Sequence, residues 1–148
     1  MSDNKAVIPP YVNAAMKFIL RSPLHGMVSE TITVITFTGR KSGKTYSTPV
    51  SYSQKGNQVI IFTDGRWSKN LIGGAPVRLR IRGKDYSGWA DLVADDKELM
   101  ANMLVEHLNV VRRDAQYYNV TFDEAGNPRM DEISRAVDHV VMIRVTLK

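Results

Sequence analysis

Between two segments that read as β-strands, Thr38-Gly39-Arg40-Lys41-Ser42-Gly43-Lys44 gathers three cations, a serine hydroxyl and two glycines within seven residues. The chemistry such a run can do is anion binding. Arginine and lysine donate charge-assisted hydrogen bonds to phosphate or carboxylate. Backbone amides beside a glycine can approach an anion without a Cβ in the way. The same composition also suits an ordinary hairpin, in which glycine supplies a positive φ and lysine stays in water. On local composition the two readings stand side by side. A Walker loop is excluded, because the glycine spacing is too short and a strand follows instead of a helix. A Rossmann fingerprint is excluded because no G-x-G-x-x-G opens a helix.

Other reactive constellations are missing. There is no cysteine, which removes disulfides, thiolate nucleophiles and cysteine-based zinc sites. His25, His107 and His139 lie far apart with no metal-binding spacing, so no metal site is expected. No G-x-S-x-G elbow marks a serine hydrolase. The net charge of +5 favours anionic ligands in general. It comes with no nucleic-acid recognition motif. Arg78, Arg80 and Arg82 alternate with Val77, Leu79 and Ile81, which reads as a solvated strand face; nucleic acid is not an expected partner.

These groups need elements to position them. A chain of 148 residues fits one domain, read here as residues 1–148 with residues 1–8 a flexible tail. Pro9 and Pro10 open a helix carrying Tyr11, Val12, Ala15, Met16, Ile19 and Leu20 on one face. That helix packs on the domain or touches a membrane surface peripherally; its apolar stretch is too short to span a bilayer. No signal-peptide pattern precedes it, and a cytoplasmic location is expected. Strands are predicted over 31–38, 45–53, 58–63, 76–82, 86–93 and 139–147. Pro49 inside the second marks it as an edge or a bulge. Trp67–Leu71 reads as a short helical turn ended by Gly73-Gly74. A long helix starts at Asp95, with Glu98 three residues on, and carries Leu99, Met100, Met103, Leu104, Leu108 and Val111 as its apolar stripe. Residues 114–130 show no clear period, and residues 131–137 read as a short helix. Short turns between strands argue antiparallel pairing. The predicted fold is α+β: a mostly antiparallel split β-barrel of about six strands, with an N-terminal helix and one long helix before the last strand.

The stretch TGRKSGKTYSTPVSY, followed by QVIIFTDGRWSKNLIGGAPVRLRIRG, resembles the deazaflavin-dependent nitroreductase family of split-barrel proteins. The basic turn, the strand carrying a proline and the W-x-x-N-L segment occur in the family's order, and the resemblance covers residues 15–93. It implies a site for coenzyme F-420, with FMN as the alternative cofactor. Arg40, Lys41, Ser42, Gly43 and Lys44 would grip the phosphate or acidic tail. Ser47, Thr48, Pro49 and Val50 would run along the ring system, and Thr63 and Asp64 would flank it. Trp67, Lys69, Asn70 and Leu71 would cover the phosphate and ribityl region. Read alone, Trp67 serves equally well as a core aromatic and Asn70 as a helix terminator.

The activity so implied is hydride transfer from the reduced cofactor to a small electrophile: a quinone, an enone or a nitro compound. The cofactor carries that chemistry and the protein supplies binding, orientation and exclusion of water. No side-chain acid is required by the residues. The proton comes from solvent, or from Tyr117 or Tyr118 where these reach the pocket. A non-catalytic carrier of flavin, haem or lipid on the same fold is a rival reading. Pairing into a homodimer across an exposed barrel face is also open.

Overall fold

The computed structural model describes residues 31–148. The N-terminal tail, the helix predicted from Pro9 and its membrane contact lie outside the described residues. Seven strands form one antiparallel sheet: β1 (Ile32–Thr38), β2 (Thr45–Ser51), β3 (Ser53–Lys55), β4 (Gln58–Thr63), β5 (Ala75–Ile81), β6 (Lys84–Val93) and β7 (Val141–Leu147). Every residue of β1 is β-branched or aromatic, which suits a pleated and largely buried surface.

The strand order is β2-β1-β5-β6-β7-β4-β3, so β2 and β3 are the two edges of the sheet. Only Tyr52 separates them in the chain. One residue cannot cross a flat seven-stranded sheet, so the sheet curls until its edges meet at Tyr52. The Tyr52 side chain is 2% exposed, and its N–H donates to Thr31 O at 2.9 Å. This is the split barrel that was expected, with seven strands instead of about six. The difference is this corner, which divides the single strand predicted over 45–53 into two. Pro49 lies on edge strand β2, where a missing amide proton costs the ladder least.

Curling gives the sheet an inside and an outside, each with its own core. Ile35, Phe37, Tyr52, Ile61, Leu79 and Ile143 pack within the barrel. Ile60, Phe62 and Met142 face outwards onto helices α1 (Lys97–Val110) and α2 (Met130–Ala136), meeting Met100, Leu104, Leu108 and Ile133. Covering both faces explains why β4 reads as an unbroken apolar run: Val59, Ile60, Ile61 and Phe62 are all buried. Each such side chain contributes about 1.5–3 kcal/mol through burial.

Helix α1 is capped by Asp96, whose side chain accepts from Leu99 N at 3.1 Å, one residue later than the predicted start at Asp95. Residues 114–130 had no readable period because they form no long element. A 3₁₀ helix spans Arg112–Tyr118 and ends at Asn119 with φ 56°. A turn then follows, closed by the Phe122–Pro128 bridge. The Thr121 amide and hydroxyl both donate to Glu132 Oε1 at 2.7 Å, which holds that carboxyl below the usual range. No helix among the described residues is long and apolar enough to cross a membrane.

Candidate functional site

The basic turn joins β1 to β2, whose register pairs Phe37 with Tyr46 and Thr38 with Thr45. It closes on itself: Gly39 N donates to Lys44 O at 2.7 Å and Gly43 N to Gly39 O at 2.8 Å. Gly43 has φ +73°, a conformation that side-chain-bearing residues rarely adopt. At Gly39 a Cβ would stand 2.6 Å from the Tyr46 ring, so only glycine lets the turn lie against that aromatic.

Opposite the turn stands a 3₁₀ helix, Arg66–Leu71. Leu71, fully buried, anchors it in the barrel core. Trp67 is mostly buried and stacks on Phe37 with centroids 5.2 Å apart, while Tyr46 stacks on the same ring at 5.7 Å. Asn70 ties the two segments together. Its Oδ1 accepts from Arg40 N at 3.0 Å, and its Nδ2 donates to Trp67 O at 2.8 Å. Asn70 is therefore a brace that sets the spacing between turn and helix, with its amide committed to backbone.

Between turn and helix lies a cleft of about 340 Å³. Arg40, Lys41, Arg66 and Lys69 line it, with the Ser42 hydroxyl held 3.2 Å from Tyr46 OH. Among the described residues that line it there is no carboxylate. Four cations and a hydroxyl with no opposing acid make a site for a polyanion. Arg66 and Tyr46 were not among the predicted site residues. The signal for Arg66 was its place directly before Trp67, on a helix already suspected of covering an anion.

A second cleft, of about 580 Å³, opens farther along β2, past Pro49 and Val50, and against Thr63 and Asp64 at the end of β4. Tyr117, Tyr118 and Asp114 of the Arg112–Tyr118 helix form its other wall. The predicted residues thus fall into two groups. Arg40, Lys41, Ser42, Trp67, Lys69 and Asn70 surround the cationic cleft. Pro49, Val50, Thr63, Asp64, Tyr117 and Tyr118 line the second one. Thr48 and Leu71 are fully buried and line neither, and Gly43, Lys44 and Ser47 also stand outside both linings. Ser47 instead hydrogen-bonds across to Thr36 Oγ1 at 2.9 Å. Pro49 lies three positions after Tyr46, so the clefts are about 10 Å apart along the strand.

The two tyrosines differ in setting. Tyr117 is 75% exposed, whereas the Tyr118 hydroxyl is half-buried and lies 3.4 Å from Phe62 O. Desolvation first, and then the charges of Asp114 and Asp64, push the Tyr118 phenol above its ordinary range. Because its folded pKa exceeds the unfolded one, its contribution to stability is complete below the unfolded value and is lost as pH rises through the folded one. An alkaline absorbance titration should therefore show one phenol that ionises only on unfolding. The Tyr118→Phe variant should lack that phenol and resist alkali better; a variant with an unchanged alkaline transition refutes the assignment.

A buried polar cluster behind this wall was not foreseen. His107, 1% exposed on the inner face of α1, places Nε2 2.9 Å from Asp114 Oδ2 and Nδ1 2.9 Å from Ser53 Oγ. Ser51 Oγ donates to the same Asp114 Oδ2. The available signal was helical spacing: His107 falls three residues after Leu104 and one before Leu108, inside an apolar stripe.

The model of the F420H(2)-dependent quinone reductase family matches residues 22–121, which takes in the basic turn, both edge strands and the Arg66–Leu71 helix. No curated protein matches the chain. Among solved structures, one described as a domain-swapped dimer is 15% identical with a TM-score of 0.54, covering 91% of this chain and 96% of that one. The protein Atu2129, of unknown function, from Agrobacterium tumefaciens is 10% identical with a TM-score of 0.53, covering 88% of this chain and 58% of that one. The FAD and haem binding protein from Mycobacterium smegmatis is 12% identical with a TM-score of 0.49, covering 86% of this chain. The chain spans 66% of the length of the mycobacterial protein. At these identities the first two likenesses establish the split-barrel fold.

Proposed function

The chain belongs to the F420H(2)-dependent quinone reductase family, and on that premise we propose that it is an oxidoreductase that binds coenzyme F-420 along β2 and reduces a quinone. The observation that carries this reading is the cationic cleft. Arg40, Lys41, Arg66 and Lys69 line it, and among the described lining residues there is no carboxylate, which fits a cofactor bearing a phosphate and an acidic tail. Reduced F-420, when bound, supplies the hydride.

The protein's own residues bind, orient and shield. Ser42 and the four cations hold the anionic end. Pro49 and Val50 carry the line of β2 onward to the second cleft, where Thr63 and Asp64 stand at the end of β4. That cleft, walled by Phe62, Tyr117 and Tyr118, suits a flat conjugated electrophile such as a quinone, and also admits an enone or a nitro compound. Tyr118, kept un-ionised by its surroundings, remains a hydrogen-bond donor across the ordinary pH range.

Titrating the purified protein with oxidised F-420 and with FMN, followed by turnover of reduced F-420 with a benzoquinone, tests the reading. Saturable F-420 binding and quinone-dependent oxidation are expected. Tight FMN binding without F-420 binding overturns the cofactor, and saturable binding without turnover makes the protein a carrier.

A further inference from the structure

The quinone cleft has a route for protons that the reaction above leaves unused. A quinone becomes a hydroquinone by gaining one hydride, which carries two electrons, and one further proton. A reduced deazaflavin held by the cationic cleft would supply the hydride and be oxidised in giving it. The proton must come from elsewhere. From the hydrogen-bond geometry we infer that Ser53, His107, Asp114 and Ser51 form a proton conduit leading from the protein surface into the second cleft.

The chain of contacts is continuous. Ser53, half-buried on edge strand β3, places its hydroxyl 2.9 Å from His107 Nδ1. His107 Nε2 lies 2.9 Å from Asp114 Oδ2, and both side chains are almost wholly buried. Ser51 Oγ shares that same carboxylate oxygen and, with Asp114, lines the cleft. Ser51 and Ser53 flank Tyr52, so the corner that closes the barrel sends both hydroxyls to the side opposite the tyrosine. Ser51 lines the cleft, and Ser53 is half-buried at the edge of the sheet.

This arrangement exceeds what stability requires. A buried hydrogen-bonded cluster is not required to join α1 to the sheet, since apolar side chains of equal volume would do so as well. What apolar side chains would not supply is a line of exchangeable protons. In the transfer, Ser51 turns its Oγ–H from Asp114 Oδ2 to the reduced quinone oxygen, gives its proton there, and takes in exchange the proton that Asp114 Oδ2 receives from His107 Nε2. Asp114 is resupplied from His107 Nε2, and His107 Nδ1 from the Ser53 hydroxyl and water. One proton crosses from solvent to product, His107 passes from its Nε2–H to its Nδ1–H tautomer, and a tautomer shift of the ring restores it for the next turnover. Ser51 is the group that touches substrate; His107 and Ser53 act through it.

The inference rests on the proposed quinone reduction, so its test has two readouts. In a single-turnover mixture of protein, reduced F-420 and a benzoquinone, cofactor absorbance reports hydride transfer and an indicator dye reports proton uptake. The two should coincide in the parent protein. In Ser53→Ala, uptake should lag at least tenfold behind hydride transfer, with F-420 affinity unchanged, and Ser53→Thr should restore it. His107→Gln should show the same lag, and because Ser53 is half-buried at an edge its variant tests the route even if the His107 variant does not fold. Without any cofactor, the ring N–H of His107 should exchange quickly with solvent by nuclear magnetic resonance, and at least tenfold more slowly in Ser53→Ala. Uptake that keeps pace in Ser53→Ala, or unchanged ring exchange, overturns the conduit. Expected ring exchange with no quinone turnover in the parent protein overturns the function and leaves the conduit standing.

Discussion

Replacing Arg40 and Lys41 together by alanine is expected to weaken F-420 binding by about 2–4 kcal/mol, roughly 30- to 1000-fold in Kd, while leaving the protein folded. Both side chains line the cationic cleft, and among the described residues neither belongs to an ion pair. Their removal therefore strands no buried partner, and a surface change of that kind moves stability by no more than about 0.5 kcal/mol. What is lost is charge-assisted bonding to a ligand, about 1.5–3 kcal/mol for each bond to a charged group before the remaining cations compensate. Arg66 and Lys69 stay in place, so residual affinity should persist and fall as salt is added. Isothermal titration of the double variant at two ionic strengths checks both points. Affinity equal to the parent's would return the turn to the role of an ordinary hairpin.

The largest expected effect on stability belongs to Asp114. Asp114→Ala should cost about 3–5 kcal/mol, because each buried polar group left without its hydrogen-bond partner costs about 1–3 kcal/mol. Here two groups are stranded at once: His107 Nε2 and the Ser51 hydroxyl. The three come from α1, β2 and the Arg112–Tyr118 helix, so the loss loosens the wall of the second cleft where it meets the barrel. At about 2–4 °C per kcal/mol for a chain of this size, the melting temperature should fall by about 6–20 °C. Asp114→Asn retains an acceptor for Ser51 and should cost less. Thermal melts of the two variants decide the matter, and a loss under about 1 kcal/mol for Asp114→Ala would show that the cluster is not desolvated as described.

The elements legible in the sequence were those whose surroundings are the same along their whole length. β1, β4 and β5 carry β-branched residues or a two-residue alternation, and a strand's period shows directly which faces are covered. The basic turn was legible because its two glycines meet backbone and steric demands that few other residues satisfy. The division at Tyr52 was not legible. Nothing in STPVSYSQK marks where one edge of a sheet ends and the other begins, since a bend between edges is set by the closure of the whole sheet. Residues 114–130 escaped for a related reason: a 3₁₀ turn and a bridged loop have no period to detect.

The sequence by itself determined the strands, the long helix and the basic, glycine-bracketed turn Gly39–Lys44, because each depends on neighbours within a few residues. The tertiary structure alone decided which cations face that turn, bringing Arg66 and Lys69 across from a helix more than twenty residues later. It alone decided that His107 is no core histidine of convenience but the middle of a path between Ser53 and Asp114, 54 and 7 residues away in the chain. The physical reason is the same in both cases. Hydrogen bonds and charge pairs act over about 3–4 Å in space, and only the curling of the sheet brings such distant residues within that range.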